Sequence, residues 1–136
     1  MRARTLKALV WVLRRGQAGP EVLLLRRNER RGGGFHPVTG KAEDSEPIAA
    51  AAAREALEET GIGGDVVDLG FRHEFRTRKG KVAEEHAFLL EASPRAGVRI
   101  SDEHDAYEWL SPEEARKALA WAAHRETLEL ALERFR

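Results

Sequence analysis

The amino-acid sequence predicts an α/β or α+β sandwich, built from a mixed sheet, one central helix and one or two C-terminal helices. Three observations support this fold class. Apolar runs with strand character fill much of the first 26 residues, one long helical pattern follows a glycine-rich loop, and an apolar stripe with helical spacing lies near the end of the chain. The 136 residues suit one packed core, so we expect a single domain spanning residues 1–136.

The N-terminal part of the chain is predicted to form two strands and a loop. Residues 6–13 (LKALVWVL) and 21–26 (EVLLLR) are apolar runs, and the Gly and Pro residues between them predict a hairpin-like connection. Residues 28–40 (NERRGGGFHPVTG) contain three consecutive glycines and a proline, without periodicity. We expect this segment to be a loop that can lie close to a ligand.

The following segment carries the start and stop signals of a helix. Asp44 or Ser45 can cap its N-terminus, and Pro47 fits its first turn. Gly61 can close its C-terminal end, because glycine adopts the left-handed conformation that commonly ends a helix. This helix is the central one of the predicted sandwich.

The second half of the chain is predicted to return to strands and then to helices. One or two strands are expected in residues 64–76, with further strands at 83–92 and 105–110. Ser111 begins a capping box with Glu114, which predicts a helix start there. The C-terminal helix is indicated by one apolar stripe at helical spacing, formed by Leu128, Ala131, Leu132 and Phe135.

Composition excludes several kinds of protein. The 23 basic residues balance the 23 acidic ones, so no overall field attracts nucleic acid or an anionic membrane. A nucleic-acid role would require the Arg-Arg and RKGK segments to converge into one patch. The absence of cysteine excludes disulfides and thiolate metal sites. No apolar run approaches a membrane span and no signal-peptide cleavage site is evident, so we expect a cytoplasmic protein.

The central helix concentrates negative charge on one face. Glu55 and Glu59 lie about 40° apart in projection and roughly 6 Å apart along the axis, and Glu58 lies about 60° to the other side of Glu55. Two like charges about 4 Å apart repel by roughly 1 kcal/mol in water and by more in a less polar cleft. The small residues expected to pack against the sheet, opposite these glutamates, are Ala49, Ala53 and Ala56.

Such a cluster needs a balancing positive charge. Arg54 can neutralise one carboxylate, and a hard divalent cation such as Mg²⁺ can balance the others while bridging them to substrate phosphates. The alternative is a solvated acidic face with ordinary i,i+4 pairs, which is the commoner explanation for a glutamate-rich helix. The neighbouring residues favour the metal interpretation, because they complete one fixed pattern.

That pattern is G-x5-E-x7-R-E-U-x-E-E-x-G-U, where U is an aliphatic residue, and it resembles the signature of the Nudix hydrolase family. Ala56 is smaller than the aliphatic residue that is usual at its position, and the strand–loop–helix order fits the family's α-β-α sandwich over nearly the whole chain. Every polar and glycine position of the signature is filled, by Gly40, Glu46, Arg54, Glu55, Glu58, Glu59 and Gly61.

The resemblance implies a Mg²⁺ site, with Mn²⁺ as an option, and attack of water on a phosphorus of a nucleoside diphosphate linked to another group. Glu55 and Glu59 would be the main metal ligands, Glu58 a further ligand or the holder of a metal-bound water, and the Gly40 carbonyl a completing ligand. Arg54 would orient the glutamates. Glu46 lies on the opposite side of an ideal helix, so we expect it to hold loop and helix together instead.

A further carboxylate is expected from residues 101–110 (SDEHDAYEWL). The E-H-x-x-Y-x-W-L arrangement there resembles the bacterial dihydroneopterin triphosphate pyrophosphatase branch of the family, which implies that Glu103 binds metal. The alternative for this segment is an ordinary polar turn. Glu84 and Glu85 are rival ligands, although we expect both at the exposed start of a strand.

The same branch resemblance suggests substrate-binding residues. FHPVTG (35–40) resembles its W-x-x-V-T-G loop, which implies that Thr39 touches substrate. Arg27 matches an arginine that contacts a triphosphate, and the C-terminal segment would place Trp121 and His124 near the substrate. The alternatives are a core position for Trp121, a surface or capping role for His124, and a solvated strand end for Arg27.

The expected reaction is Mg²⁺-dependent hydrolysis of dihydroneopterin triphosphate, or of a dNTP such as dATP, to the monophosphate and pyrophosphate. V-T-G replaces the P-K-G that dinucleoside polyphosphate hydrolases often carry, but action on those compounds or on ADP-ribose is an alternative. A non-catalytic nucleotide sensor is a second alternative, disfavoured because no signature glutamate is lost. A small-molecule partner is expected, with no nucleic acid and no membrane, and a homodimer is an open option.

Overall fold

The computed structural model describes residues 4–136, so the first three residues of the predicted domain 1–136 lie outside it. The strands are β1 (Thr5–Gly16), β2 (Gly19–Arg27), β3 (Phe35–His36), β4 (Val38–Lys41), β5 (Val66–Arg76), β6 (Val82–Glu91) and β7 (His104–Leu110). The helices are α1 (Ile48–Thr60), α2 (Pro112–Ala118) and α3 (Ala122–Phe135), with a short 3-10 turn at Glu29–Arg31.

Strand β1 organises a mixed sheet. Its C-terminal half pairs antiparallel with β2, its N-terminal half pairs antiparallel with β4, and its other edge pairs parallel with β6. Strand β5 extends the sheet beyond β6, and β3 and β7 both pair with β2. The predicted mixed sheet with a central helix and one or two C-terminal helices is therefore confirmed, and two such helices, α2 and α3, are present.

Alternation along β1 creates two cores, because successive strand residues point to opposite faces. On the α1 face, Ala8, Val10 and Val12 pack with Ala52 and Ala56 of the helix. The opposite face carries the second core, in which Leu9, Trp11 and Leu13 pack with all four residues of the predicted C-terminal stripe, Leu128, Ala131, Leu132 and Phe135. The layer order is helix, sheet, helices.

Residues 28–40 are more regular than their sequence suggests. The prediction of a loop was wrong for Phe35–His36 and Val38–Lys41, which are short strands. Pairing with β1 produces the second of these strands, with Leu9 opposite Thr39 and Ala8 opposite Gly40. A four-residue strand whose hydrogen bonds come from a partner about 30 residues away in sequence leaves no periodic pattern to detect.

Helix α1 ends as predicted but begins differently. Gly61 is left-handed (φ 75°), and its N–H donates to the Leu57 carbonyl at 2.9 Å, which confirms the predicted C-cap. The N-cap residue is Pro47, without a side-chain cap, so the prediction of Asp44 or Ser45 was wrong. Ser45 is itself left-handed (φ 64°), in a turn that precedes the helix.

The packing face of α1 also differs from the prediction. Ala52 and Ala56 are fully buried against the sheet, whereas Ala49 is exposed and Ala53 only half-buried. Ala52 and Ala56 lie about 60° and 100° from Glu55 in projection, so the packing face adjoins the acidic face instead of opposing it. The helix therefore turns the edge of its acidic face toward the sheet, which places the carboxylates in a cleft.

The remaining elements follow the sequence closely. The predicted capping box is present, with Glu114 N–H donating to Ser111 Oγ at 3.1 Å and Ser111 N–H donating to Glu114 Oε1 at 3.0 Å. Residues 64–76 contain a single strand, β5. Within residues 4–136, none of the helices has the length and apolar composition needed to cross a membrane.

Candidate active site

Gly40 brings strand β4 against the acidic face of α1. A Cβ atom at this position would overlap the Glu55 carboxylate and its Cγ, so only glycine leaves room for that side chain. Ala8 holds Gly40 from the other side through the β1–β4 ladder. The carboxylate of Glu55 therefore sits directly over the backbone of β4 at Gly40.

Glu55 and Glu59 lie one helical turn apart on α1 and form a carboxyl pair that lines a cleft. Glu59 is only 7% exposed, and its Oε1 has no hydrogen-bond partner among residues 4–136. Burial, together with the charge of Glu55, raises the pKa of Glu59 to about 8. Burial also raises the pKa of Glu55, against the lowering effect of Arg54. At neutral pH, in the absence of a cation, the pair therefore retains a proton.

Arg54 joins the loop before α1 to the acidic face. Its guanidinium donates to both carboxylate oxygens of Glu46, from Nε at 2.8 Å and from Nη2 at 3.0 Å. Nη1 reaches Glu58 at 3.0 Å and Glu55 at 3.3 Å, while Nη2 also donates to the Lys41 carbonyl at 3.0 Å. These bonds lower the pKa of Glu46 to about 2. Glu46 is thus engaged in holding loop and helix together, as the sequence suggested.

Glu103 approaches the same cleft from the segment before β7. Its carboxylate is about half exposed and lies 3.4 Å from Arg31 Nη1, and its charge contributes to the raised pKa of Glu59. Glu58, in contrast, is turned outward to Arg54. Among residues 4–136, no three carboxylate or imidazole groups converge as a ready-made metal cluster. Glu103 or Glu58 would have to swing inward, or act through water, to share an ion with the pair.

The donor set nevertheless fits a hard divalent cation. Glu59 Oε1 is a buried acceptor without a donor, and Gly40 leaves a cradle that a methyl group would fill. All the candidate ligands are oxygens, which suits Mg²⁺ or Mn²⁺, and Mg²⁺ usually keeps several waters and needs few protein ligands. A dication at this place would replace the proton of the pair and satisfy the unpaired Glu59 Oε1.

The two rival carboxylates, those of Glu84 and Glu85, do not line the part of the cleft that holds Glu55 and Glu59. Glu84 accepts from His86 Nε2 at 2.7 Å and from Arg4 at 3.0 Å, away from the pair. The prediction that Glu85 lies at an exposed strand start was wrong, because it is 7% exposed and bonded to His73 Nε2 at 3.2 Å. Alternation in β6 turns it inward, beside Ala83 and Ala87 on the same face.

The cleft has two lobes that share Lys7, Arg27 and Thr39. We name the first, of about 500 Å³, the charged lobe; it contains the carboxyl pair and Glu103. The second, of about 300 Å³, is the aromatic lobe, and its rings belong to Phe35, His36, His73, Phe75, Trp121 and His124. Arg27 and Thr39, both proposed from the sequence as substrate-binding residues, lie where the lobes meet.

Trp121 and His124 both line the aromatic lobe. Trp121 is 69% exposed, so it is not the core aromatic that the alternative interpretation required. His124 is half-buried, its Nδ1 is buried without a partner among the described residues, and burial lowers its pKa to about 4. The imidazole is therefore neutral at pH 7, and it lies beside the ring of Trp121.

A buried pair of histidines behind the site was not foreseen. His36 Nδ1 donates to the Pro37 carbonyl at 2.5 Å, which leaves Nε2 to accept from His104 Nε2–H at 3.0 Å. Burial lowers the pKa of both imidazoles, that of His36 to about 3, so both are neutral. The pair ties the segment that carries Glu103 to the strand before Thr39.

Comparison with known proteins agrees with this geometry. The NUDIX domain family matches residues 3–131. The chain is 32% identical over 116 residues to the mouse (Mus musculus) protein bis(5'-nucleosyl)-tetraphosphatase [asymmetrical], covering 80% of this chain and 76% of that protein. It is 42% identical over 118 residues to the octanoyltransferase of Myxococcus xanthus, covering 83% of this chain but only about a third (33%) of that protein's length.

The fold recurs in solved structures. The structure of the E. coli dihydroneopterin triphosphate pyrophosphohydrolase superposes on this chain with a TM-score of 0.81 at 22% identity, covering 98% of this chain and 99% of the E. coli chain. At this level of identity the likeness concerns the fold. The family match over nearly the whole chain, the filled signature and the identity to the mouse tetraphosphatase show that this chain belongs to the Nudix hydrolase family.

Proposed function

We propose that this enzyme hydrolyses a nucleoside triphosphate-like compound, either dihydroneopterin triphosphate or a dNTP such as dATP, to its monophosphate and pyrophosphate. The observation that carries the proposal is the two-lobed cleft. An aromatic lobe suited to a flat heterocycle opens into a charged lobe at Arg27 and Thr39, beside the carboxyl pair of Glu55 and Glu59. A single ligand with a ring at one end and a phosphate chain at the other fits this arrangement.

The ring would be bound by stacking and by polar edges. Trp121 offers an exposed face, and base–aromatic stacking contributes about 1–3 kcal/mol per base. Glu85 and His124 lie in the same lobe, where a carboxylate and a neutral imidazole can contact the ring nitrogens or amino groups of a purine or pterin. The phosphate chain would then pass Lys7 and Arg27 toward the carboxyl pair.

Mg²⁺ would be held by Glu55, Glu59, Glu103 and the Gly40 carbonyl, with Glu58 as a further ligand or through water. When bound, it neutralises phosphate charge and makes water more acidic. Arg54 orients Glu55 and Glu58, and its bidentate bond to Glu46 fixes the guanidinium. Glu103, whose carboxylate is about half exposed, would accept a proton from attacking water or serve as a ligand.

A second candidate function is hydrolysis of dinucleoside polyphosphates. It is favoured by the 32% identity to the mouse tetraphosphatase over 80% of this chain. Against it stands the V-T-G sequence at residues 38–40, and the charged lobe has no aromatic side chain among its lining residues to stack a second base. The triphosphate is therefore our first choice.

The test is a Mg²⁺-dependent assay over dihydroneopterin triphosphate, the four dNTPs, ADP-ribose and diadenosine polyphosphates, with products separated by ion-exchange chromatography. We expect the highest kcat/KM for a triphosphate, with pyrophosphate as product. Reaction in ¹⁸O-labelled water identifies the attacked phosphorus. Glu59→Gln serves as the inactive control. Turnover of dinucleoside polyphosphates or ADP-ribose without cleavage of any triphosphate would overturn the proposal.

A further inference from the structure

The β5–β6 hairpin ends in a basic turn that borders the charged lobe. The turn is ordered by main-chain bonds, from Thr77 N to the Lys81 carbonyl and from Gly80 N to the Thr77 carbonyl, both at 2.9 Å. Arg76 also donates to the Gly80 carbonyl at 3.0 Å. Thr77, Arg78, Lys79 and Lys81 all line the cleft, although they are far in sequence from the Nudix signature.

The charged lobe gathers cations that have no acidic partner. Among residues 4–136, none of its six basic side chains forms an ion pair with a carboxylate, whereas arginines elsewhere, such as Arg14 and Arg116, are paired. In a chain with zero net charge this is a local excess. It faces three acidic side chains, those of Glu55, Glu59 and Glu103. The six basic residues are Lys7, Arg27, Lys41, Arg78, Lys79 and Lys81.

The six cations fall into two groups by position. Lys7 and Arg27 line both lobes, so they lie where a ligand passes from one lobe to the other. Lys41 and the three cations of the turn line only the charged lobe, away from the aromatic rings. A ligand whose ring occupies the aromatic lobe would therefore direct the end of its phosphate chain toward the turn.

We propose that Arg78, Lys79 and Lys81, supported by Lys41, form a binding site for the terminal phosphates, and so for the pyrophosphate that leaves. That pyrophosphate is a product of the reaction rests on the proposed function. The affinity of these four residues for a short polyphosphate does not depend on it. Water adds to one of the two phosphorus atoms that flank the α–β bridging oxygen. The bond from that phosphorus to the bridging oxygen breaks, and a base, proposed above to be Glu103, takes the proton of the water. On attack at the α-phosphorus, the bridging oxygen and the electron pair leave with pyrophosphate. On attack at the β-phosphorus, they leave with the monophosphate, and the water oxygen becomes part of pyrophosphate.

This site sets the preference for chain length. A triphosphate reaches the turn with its last two phosphates, whereas a diphosphate that holds its ring in the aromatic lobe stops short of it. Several charge-assisted hydrogen bonds would distinguish the two ligands. The turn therefore selects triphosphates by the length of the anion, independently of the ring that is bound.

The test is calorimetric titration of the enzyme with inorganic pyrophosphate and with orthophosphate, each in the presence of Mg²⁺. The variant is R78Q/K79Q/K81Q, and the matched control is R95Q/K117Q/R134Q, which removes the same charge at exposed positions outside the cleft. We expect the Kd for pyrophosphate to rise at least about tenfold in the turn variant, from the loss of charged hydrogen bonds, and less than about twofold in the control. The Kd for orthophosphate should change less than that for pyrophosphate.

Kinetics separate this inference from the proposed function. If triphosphates are cleaved, the turn variant should show a raised KM and a raised Ki for pyrophosphate relative to the control variant. Loss of pyrophosphate binding in an enzyme that cleaves no triphosphate would support the site and refute the proposed function. Equal Kd, KM and Ki in the turn variant and the wild-type enzyme would overturn the site, whatever the substrate. The substituted side chains are exposed, so equal unfolding midpoints should confirm that the variants fold.

Discussion

Arg54 and Glu46 face each other in a bidentate pair, with Nε–Oε2 and Nη2–Oε1 distances of 2.8 and 3.0 Å. The same guanidinium contacts Glu58, Glu55 and the Lys41 carbonyl. One planar side chain thus connects the turn before α1, strand β4 and the acidic face. Its role in this structure is to fix the relative position of the three elements that meet at the carboxyl pair.

Arg54→Lys should therefore impair catalysis more than folding. Lysine keeps the charge but cannot reproduce a planar fork with several simultaneous bonds. We expect kcat/KM to fall roughly 100-fold, as for loss of groups that orient metal ligands, and the free energy of unfolding to fall by about 1 kcal/mol. Arg116→Lys is the control, because Arg116 forms a similar two-bond pair with Glu129 on the surface. Equal activity of both variants would refute the orienting role.

Gly40→Ala tests the contact between β4 and α1. The added methyl group would overlap the Glu55 carboxylate, which is the movable end of a side chain, so the helix can stay in place while the carboxylate is displaced. We expect activity to fall by at least about 100-fold, with a loss of stability of no more than about 1 kcal/mol. Gly97→Ala is the control, because a Cβ at Gly97 meets open space. Normal Mg²⁺-dependent turnover by Gly40→Ala would contradict the claim that Glu55 needs the space left by glycine at position 40.

Glu103→Gln tests whether a carboxylate outside the signature takes part in the reaction. Glu103 lines the charged lobe, whereas its neighbour Asp102 does not, although both are exposed. We expect kcat to fall roughly 10²- to 10⁴-fold in Glu103→Gln, the range for loss of a general base. Asp102→Asn should retain activity within about twofold. If Glu103→Gln is as active as Asp102→Asn, Glu103 does not take part in the reaction.

Trp121→Ala tests the aromatic lobe. Because Trp121 is 69% exposed, its removal should change the free energy of unfolding by less than about 0.5 kcal/mol. Loss of stacking worth about 1–3 kcal/mol should raise the KM for the triphosphate roughly 5- to 150-fold. Trp121→Phe should restore most of the affinity, and tripolyphosphate, which has no ring, should bind both variants equally. An unchanged KM for Trp121→Ala would mean that the ring of the substrate does not stack on Trp121.

The sequence predicted the position of the central helix and its C-terminal end, because both depend on short-range spacing. Glu55 and Glu59 are one helical turn apart, and Gly61 ends the helix through its own backbone conformation. The C-terminal stripe from Leu128 to Phe135 was predicted for the same reason, since one apolar face must be buried. These features can be derived without knowing which strands pair.

Features that depend on long-range pairing were not predictable. The β1–β4 ladder brings Gly40 beside Ala8, and the contact between His36 and His104 joins residues 68 positions apart. The hairpin turn at residues 77–81 reaches the charged lobe only because β6 lies parallel to β1. Local patterns carry no information on these neighbours, so only the fold shows that the basic turn borders the charged lobe and that Phe35, His73 and Phe75 join Trp121 and His124 in the aromatic lobe.

The carboxyl pair makes stability depend on pH and on metal. Glu59 has a pKa of about 8 in the folded protein, against a reference value of 4.5 in the unfolded chain. Between these values only the unfolded chain loses the proton, so the free energy of unfolding of the metal-free enzyme should fall as pH rises from 4.5 to 8. Relative to Glu59→Gln, the loss by pH 8 should be at least about 1 kcal/mol, measured by urea unfolding in EDTA.

Calorimetric titration of Mg²⁺ into the wild-type enzyme and Glu59→Gln, at pH 7 in two buffers of different ionisation enthalpy, tests the central claim most directly. The claim is that a dication replaces the proton held between Glu55 and Glu59. We expect the wild type to bind Mg²⁺ with release of up to about one proton, and Glu59→Gln to bind at least about tenfold more weakly without proton release. Equal binding by both proteins, or binding without proton release by the wild type, would contradict the account.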